Sequence, residues 1–152
     1  MTNMEINEEI STAHNAFKML DTRELNPLQM AYVGDTVHDL YVRSMLLSRG
    51  MTVGKMHKQA VRMVSAGAQA RMLEAIENEL SEEEADIARR GRNSQAKHAA
   101  PKHADLADYA HATGLEALWG YLYLSGRTQR LDELIKLALE RTEELWQKRT
   151  SK

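Results

Sequence analysis

An all-α fold is predicted by three observations on this chain. Of its 152 residues two are proline and one is phenylalanine, while Ala, Leu, Glu, Lys, Arg and Met abound, a composition that favours helix throughout. Apolar residues recur at spacings of three and four along most of the sequence, which places them on helix faces. Helix-start signals precede those runs, most clearly Ser81 followed by Glu84, where a hydroxyl and a carboxylate three residues on can cap each other's amides. The length suits one domain spanning 1–152, large enough to bury about two thirds of its unfolded surface.

Taken in order, the pattern predicts helices at 5–20, 27–49, 53–65, 67–79, 81–91, 103–125 with a break near Gly114, and 128–149. Met30, Val33, Val37, Leu40 and Tyr41 form the apolar face of the second. Segment 114–126, GLEALWGYLYLSG, is too apolar to be left in water. In the last helix Leu131, Leu134, Ile135, Ala138 and Leu145 repeat above a charged face, as expected of amphipathic cover for a core. Between Gly91 and Pro101 the apolar period lapses, and proline disfavours helix at the residue before it, so a surface loop is expected there. Met19, Met30, Met45, Met51, Met56, Met63 and Met72 are spread widely and read as core filler.

Charge narrows the function. The net charge is −2, yet residues 40–73 hold six basic and no acidic side chains, residues 74–86 carry seven acids, and residues 87–104 carry five bases and no acid. Two acid-free basic blocks point to an anionic ligand, against the plainer reading of solvated helix faces. The acid run behind Ser81 reads as a helix N-terminus, not a metal site. With no cysteine, disulfides and thiolate metal sites are excluded. No apolar run approaches a membrane-spanning length, and the acidic start is unlike a signal peptide, so the expected location is cytoplasmic with no membrane partner.

The stretch 26–43, NPLQMAYVGDTVHDLYVR, sets Asp35 beside a glycine in an otherwise apolar helical pattern. A carboxylate at the border of a packed face calls for a partner. Gly34 weakens a helix by roughly 1 kcal/mol relative to alanine, which makes sense if another backbone comes close there. The counterpart is Glu116, one turn before Gly120 in the apolar segment 114–126. Two glycine-bearing apolar helices with one acid each suggest a carboxylate pair.

Five tracts in order, AYVGDTVHDLYVR, VSAGAQARML, RRGRN at 89–93, Pro101 with Lys102, and ATGLEALWGYLYLSG, resemble Mini-ribonuclease III. This is the compact branch of the ribonuclease III superfamily, a catalytic domain without a separate double-stranded-RNA-binding domain. The resemblance runs from about residue 25 to about 140. It implies a ribonuclease III-like helical fold, a homodimer, and Mg2+-dependent hydrolysis, with Mn2+ able to substitute. The implied substrate is double-stranded or structured precursor of large-subunit ribosomal RNA, within reach of a ribosomal protein or pre-ribosomal particle. Carried over by residue, Asp35 and Glu116 become the catalytic and metal-binding acids, with Asp39, one turn on, a further candidate ligand directly or through water. The longer enzymes carry acids where this chain has Ala31 and Thr113. The compact branch lacks them too, which puts tight two-metal occupancy in doubt while leaving activity standing.

Arg89, Arg90, Arg92, Asn93, Lys97 and Lys102 look like an RNA-binding loop beside the active site, since RNA duplexes are read mostly through phosphates and 2′-hydroxyls. The alternative is a basic helix end stabilised by the dipole. Lys55, Lys58 and Arg62 fall on consecutive turns of one helix and could follow a strand backbone, or be a solvated face. His98, His103 and His111 lack the spacing of a helical zinc pair. His38 reads as core-edge or RNA-facing, and Trp119, Tyr121 and Tyr123 as core or dimer packing rather than base-stacking surfaces. The competing function is an RNA-binding or ribosome-assembly protein of the same fold with little nuclease activity. Cleavage of duplex RNA separates the two.

Overall fold

The computed structural model describes residues 20–95 and 105–146. Their seven helices are α1 (Pro27–Ser48), α2 (Val53–Met63), α3 (Ala66–Ile76), α4 (Glu82–Gln95), α5 (Leu106–Leu124), α6 (Thr128–Arg141) and the short α7 (Glu143–Trp146). Single 3-10 turns at Thr22–Glu24 and Glu77–Glu79 complete the described structure, which holds no strand. The helix expected at 5–20 lies outside the described residues, apart from Leu20, which is not helical.

Local chemistry sets the ends. At α1, Asn26 accepts from Gln29 N at 2.9 Å while Gln29 Oε1 accepts from Asn26 N at 2.9 Å, and Pro27 takes the first helical position, where its missing N–H costs nothing. At α4, Ser81 Oγ accepts from Glu84 N at 3.1 Å and Glu84 returns a 2.9 Å bond to Ser81 N, the reciprocal cap expected from sequence. Gly50 and Gly126 follow α1 and α5 at φ of 71° and 77°, left-handed backbone in which glycine ends a helix without strain.

Helix α5 runs through the centre, packed against α1, α3 and α4, with α6 closing over α3 and α2 resting on α1. It is uninterrupted: the break expected near Gly114 is absent. That glycine exists for packing, because a Cβ there would stand 2.6 Å from the Ala88 carbonyl oxygen of α4. Leu115, Leu118, Trp119 and Leu122 are fully buried. They meet Met30, Met63 and Met72, which fill the core as expected of methionine; Met45, Met51 and Met56 pack at its edge.

Two other expectations need correction. The stretch after Gly91 is not a loop through residue 95, since α4 continues to Gln95 and carries Arg92 and Asn93 in its last turns. Polar residues without apolar period can still extend a helix whose first turns are anchored. The last helix stops at Arg141, where Thr142 Oγ1 donates to Ala138 O at 2.7 Å. Leu145 is therefore turned outward and Trp146 is buried in its place, donating Nε1–H to Leu139 O at 3.3 Å. Arg130 reaches Glu84 at 2.9 Å and the Glu79 carbonyl at 2.7 Å, tying α6 to the start of α4.

Candidate active site

The site lies where α1 crosses α5. A Cβ on Gly34 would sit 1.7 Å from the Glu116 carbonyl oxygen, and one on Gly120 would sit 1.8 Å from that of Met30. The two backbones are thus in direct contact, and no other residue fits at either glycine. Asp35 follows Gly34, and Glu116 is one turn before Gly120, so the crossing brings both acids together.

Their environments differ. Asp35 is exposed, whereas Glu116 is half-buried beneath it. Burial foremost, then the hydrogen bond to Asp35 and that residue's charge, push the Glu116 carboxyl up to about 8. The Gln69 amide acts against this by hydrogen-bonding Glu116. Near neutral pH the protein without a cation keeps a proton on Glu116, and that O–H donates to the Asp35 carboxylate. Below about pH 8 Glu116 keeps its proton in the metal-free protein, and a cation bound between the acids would replace it.

Two buried polar side chains surround the pair. Gln69, on the first turn of α3, is 2% exposed; its Nε2 donates to Val64 O at 3.2 Å and its Oε1 has no partner. His38, one turn after Asp35, is fully buried. Trp119 Nε1 donates to His38 Nδ1 at 3.1 Å, so the imidazole proton sits on Nε2, 3.1 Å from Met63 O, to which it donates. Burial pushes His38 below the usual histidine range. It is a neutral strut joining α1, α5 and the end of α2, neither at the core's edge nor facing RNA.

Asp39 is turned to Arg43, whose Nε lies 3.1 Å away. Among the described residues no group of three metal-ligating side chains converges, so the acids form a pair and Asp39 stands outside it. A hydrated divalent cation fits this donor set: hard oxygens, few protein ligands, an exposed side for water, and an unpaired buried carbonyl. At the positions where longer relatives carry acids, Ala31 is buried and the Thr113 hydroxyl donates to Tyr109 O at 3.0 Å.

Helix α4 crosses α5 at Gly91 and Gly114, which puts Arg92 two residues along α5 from Glu116: the Arg92 nitrogen lies 3.5 Å from where a Gly114 Cβ would be. Arg89, Arg90 and Asn93 are exposed and Arg92 half-buried, and Arg89 is paired with Asp86. Lys97 and Lys102, with His98 and His103, lie outside the described residues. Lys55, Lys58 and Arg62 are exposed along α2. Trp119 and Tyr121 are buried and Tyr123 half-buried, which makes them core residues. Gln69 was not anticipated. Its signal was a polar side chain in register with Leu73 and Ile76 on the buried face of α3.

Residues 28–127 match the ribonuclease III domain family model. Among curated relatives, a Mini-ribonuclease 3 from Symbiobacterium thermophilum is 48% identical over 76% of this chain and 89% of its own length. One from Enterococcus faecalis is 41% identical over 83% and 97%, and one from Clostridium tetani 38% identical over 84% and 85%. Among solved structures, the crystal structure of a Fusobacterium nucleatum protein superposes with a TM-score of 0.70 at 28% identity, covering 79% of this chain and 96% of that one.

Proposed function

The chain belongs to the ribonuclease III family, in its Mini-ribonuclease 3 branch, and on that premise we propose that Asp35 and Glu116 hold a hydrated Mg2+ with which the protein cleaves double-stranded regions of precursor large-subunit ribosomal RNA. Family membership makes it an endoribonuclease acting on RNA with a divalent-metal requirement. The observation that carries the site is the α1–α5 crossing, which sets Glu116 in a sheltered place beside Asp35, where burial first and then Asp35 push its carboxyl up to about 8. When bound, the cation supplies an activated water and a positive charge for the phosphodiester oxygens. Asp35, exposed, is the acid that RNA approaches; Glu116, beneath it, gives up its proton as the cation is taken. Gly34 and Gly120 hold the two at fixed separation.

RNA is held by Arg92 and Asn93 at the end of α4, with Arg89, Arg90, Lys97 and Lys102, and along α2 by Lys55, Lys58 and Arg62. Arg89, Arg90, Asn93, Lys55, Lys58 and Arg62 are exposed and Arg92 is half-buried, which supports that role. The functional unit is a homodimer. Tyr32 is 85% exposed, and with Leu40 and Leu47 it makes an apolar stripe along α1 beside Asp35, suited to a second copy. One site cuts one strand, so two sites related by a twofold axis cut a duplex. Among the described residues no helix is long and apolar enough to cross a membrane, in keeping with work on ribosomal RNA in the cytoplasm.

Purified protein incubated with structured precursor ribosomal RNA should cleave it with Mg2+ and leave it intact with chelator. Asp35→Asn and Glu116→Gln should each lower cleavage by orders of magnitude while circular dichroism stays unchanged. Near-normal turnover in either variant overturns the site. Equal cleavage of an unrelated duplex overturns the substrate.

A further inference from the structure

Gln69 poses a physical problem that the catalytic pair alone does not explain. A buried amide carbonyl without a hydrogen bond loses the solvation that it had in the unfolded chain, and such groups are normally paired. Gln69 Oε1 is in that position, on a side chain 2% exposed. Its other end is fixed, since Nε2 donates to Val64 O at 3.2 Å. The backbone is fixed as well: Ser65 caps α3 by accepting from Ala68 N at 3.2 Å, and Gln69 N donates to Ser65 O at 3.0 Å. This amide also lies against Glu116, whose carboxylate form it favours. Its oxygen and nitrogen share one carbon, so an amide in contact with Glu116 has its unpaired oxygen at the border of the same site.

We propose that Gln69 is a positioning residue of the carboxylate site, its amide braced on the Val64 carbonyl and on Glu116 so that its unpaired Oε1 accepts a hydrogen bond from a water of the hydrated divalent cation. The proposal rests on the metal reading of Asp35 and Glu116. It explains the orphaned oxygen, because a small, strongly hydrated cation with only two protein ligands brings several water O–H donors into the site. It also accounts for α3 in the architecture. That helix contributes no acid to the pair, yet its first turn delivers a buried amide against Glu116. Outer contacts of this kind orient a ligand and its waters, and their loss commonly weakens metal binding by tenfold or more.

The test is Mn2+ affinity of the RNA-free protein, read from the free-ion electron paramagnetic resonance signal, for wild type, Asp35→Asn, Gln69→Met and Gln69→Glu. Methionine keeps the length and removes both hydrogen-bonding ends; glutamate keeps acceptor oxygens at the same reach. Wild type should bind, Asp35→Asn should not, Gln69→Met should bind about tenfold more weakly, and Gln69→Glu at least as tightly as wild type. A residue that only braced the fold would lower the melting temperature of both Gln69 variants without moving affinity in opposite directions. Wild-type affinity in Gln69→Met overturns the inference, and so does weakened binding in Gln69→Glu, which decides alone if the methionine variant does not fold. Absence of binding in wild type would instead overturn the metal reading itself.

Discussion

Helix α5 is crossed twice through glycine pairs, and only one of the crossings is chemical. At Gly34 with Gly120 an added Cβ would meet a backbone oxygen at 1.7–1.8 Å; at Gly91 with Gly114 the nearest atoms are 2.6–2.8 Å away and include the Ala117 methyl. Both crossings bury apolar surface, but the tighter one has an acid next to Gly34 and another one turn before Gly120. The looser one is followed by Arg92 and Asn93. Close approach of helices is thus a packing device that, on the function proposed above, also serves catalysis when each partner brings a carboxyl. On the same central helix, anionic groups gather at one crossing and cationic ones at the other, as binding a metal and then a polyanion requires.

The comparison breaks most visibly with alanine at the glycines. Gly34→Ala should force α1 off α5, lowering stability by more than the roughly 1–3 kcal/mol usual for overpacking and abolishing cleavage. Gly91→Ala, whose nearest obstacle is one methyl group, should cost less and leave measurable activity. Denaturant unfolding of the two variants, with cleavage assays beside it, ranks them, and equal losses would mean that the crossings are mechanically equivalent.

The acids give a second contrast, through pH. Glu116 titrates at about 8 in the folded protein and near 4.5 when unfolded, so the folded state holds the extra proton between those values. Stability of the metal-free protein should therefore fall as pH rises from 4.5 through 8. Glu116→Gln should flatten that slope and give a metal-free protein more stable than wild type at pH 8. Added Mg2+ should do the same for wild type, since it replaces the proton, and its affinity should rise with pH until Glu116 is ionised. His38 acts in the opposite sense. Burial holds its folded value below the ordinary histidine range, so its contribution is complete above that range and lost as pH falls through the folded value. Thermal melts across pH 4–9 of wild type and Glu116→Gln separate the two. No slope in the wild type between pH 6.5 and 8 would show the carboxyls to be uncoupled.

The smallest effect belongs to the other crossing. Alanine at Arg92 and Asn93 should weaken binding of duplex RNA and flatten its salt dependence by about one phosphate contact, leaving metal affinity and stability near wild type. Unchanged salt slope would reduce the end of α4 to a solvated helix terminus.

The helices and the catalytic crossing were legible in sequence because their signals are local or periodic. Asn26 and Ser81 announce helix starts, and a glycine in each of two apolar helices announces a backbone contact. Legibility failed where a tertiary contact overrides a local pattern. Gly114 reads as a breaker but accommodates the Ala88 carbonyl. Leu145 fits the apolar register of α6 until Thr142 ends it and Trp146 takes the buried place. The sequence pairs Asp35 with Glu116, but which of them is sheltered depends on α3 folding over Glu116, and no spacing rule contains that. Gln69 and His38 were hidden for the same reason, since their roles are defined by partners far away in the chain.

The indole–imidazole bond at the catalytic crossing also gives the protein an optical consequence. The chain has two tryptophans, both buried: Trp119 donates to His38 between α1 and α5, and Trp146 is covered by the Arg49 guanidinium 5.1 Å from its ring centroid. Fluorescence from a Trp146→Phe variant would come from the crossing alone, and that from Trp119→Phe from the contact of α7 with α2 and α6. Emission from Trp119 is therefore a native gauge of how firmly α1 is seated on α5. It could be followed in real time as cation and RNA arrive, with no label attached to the enzyme.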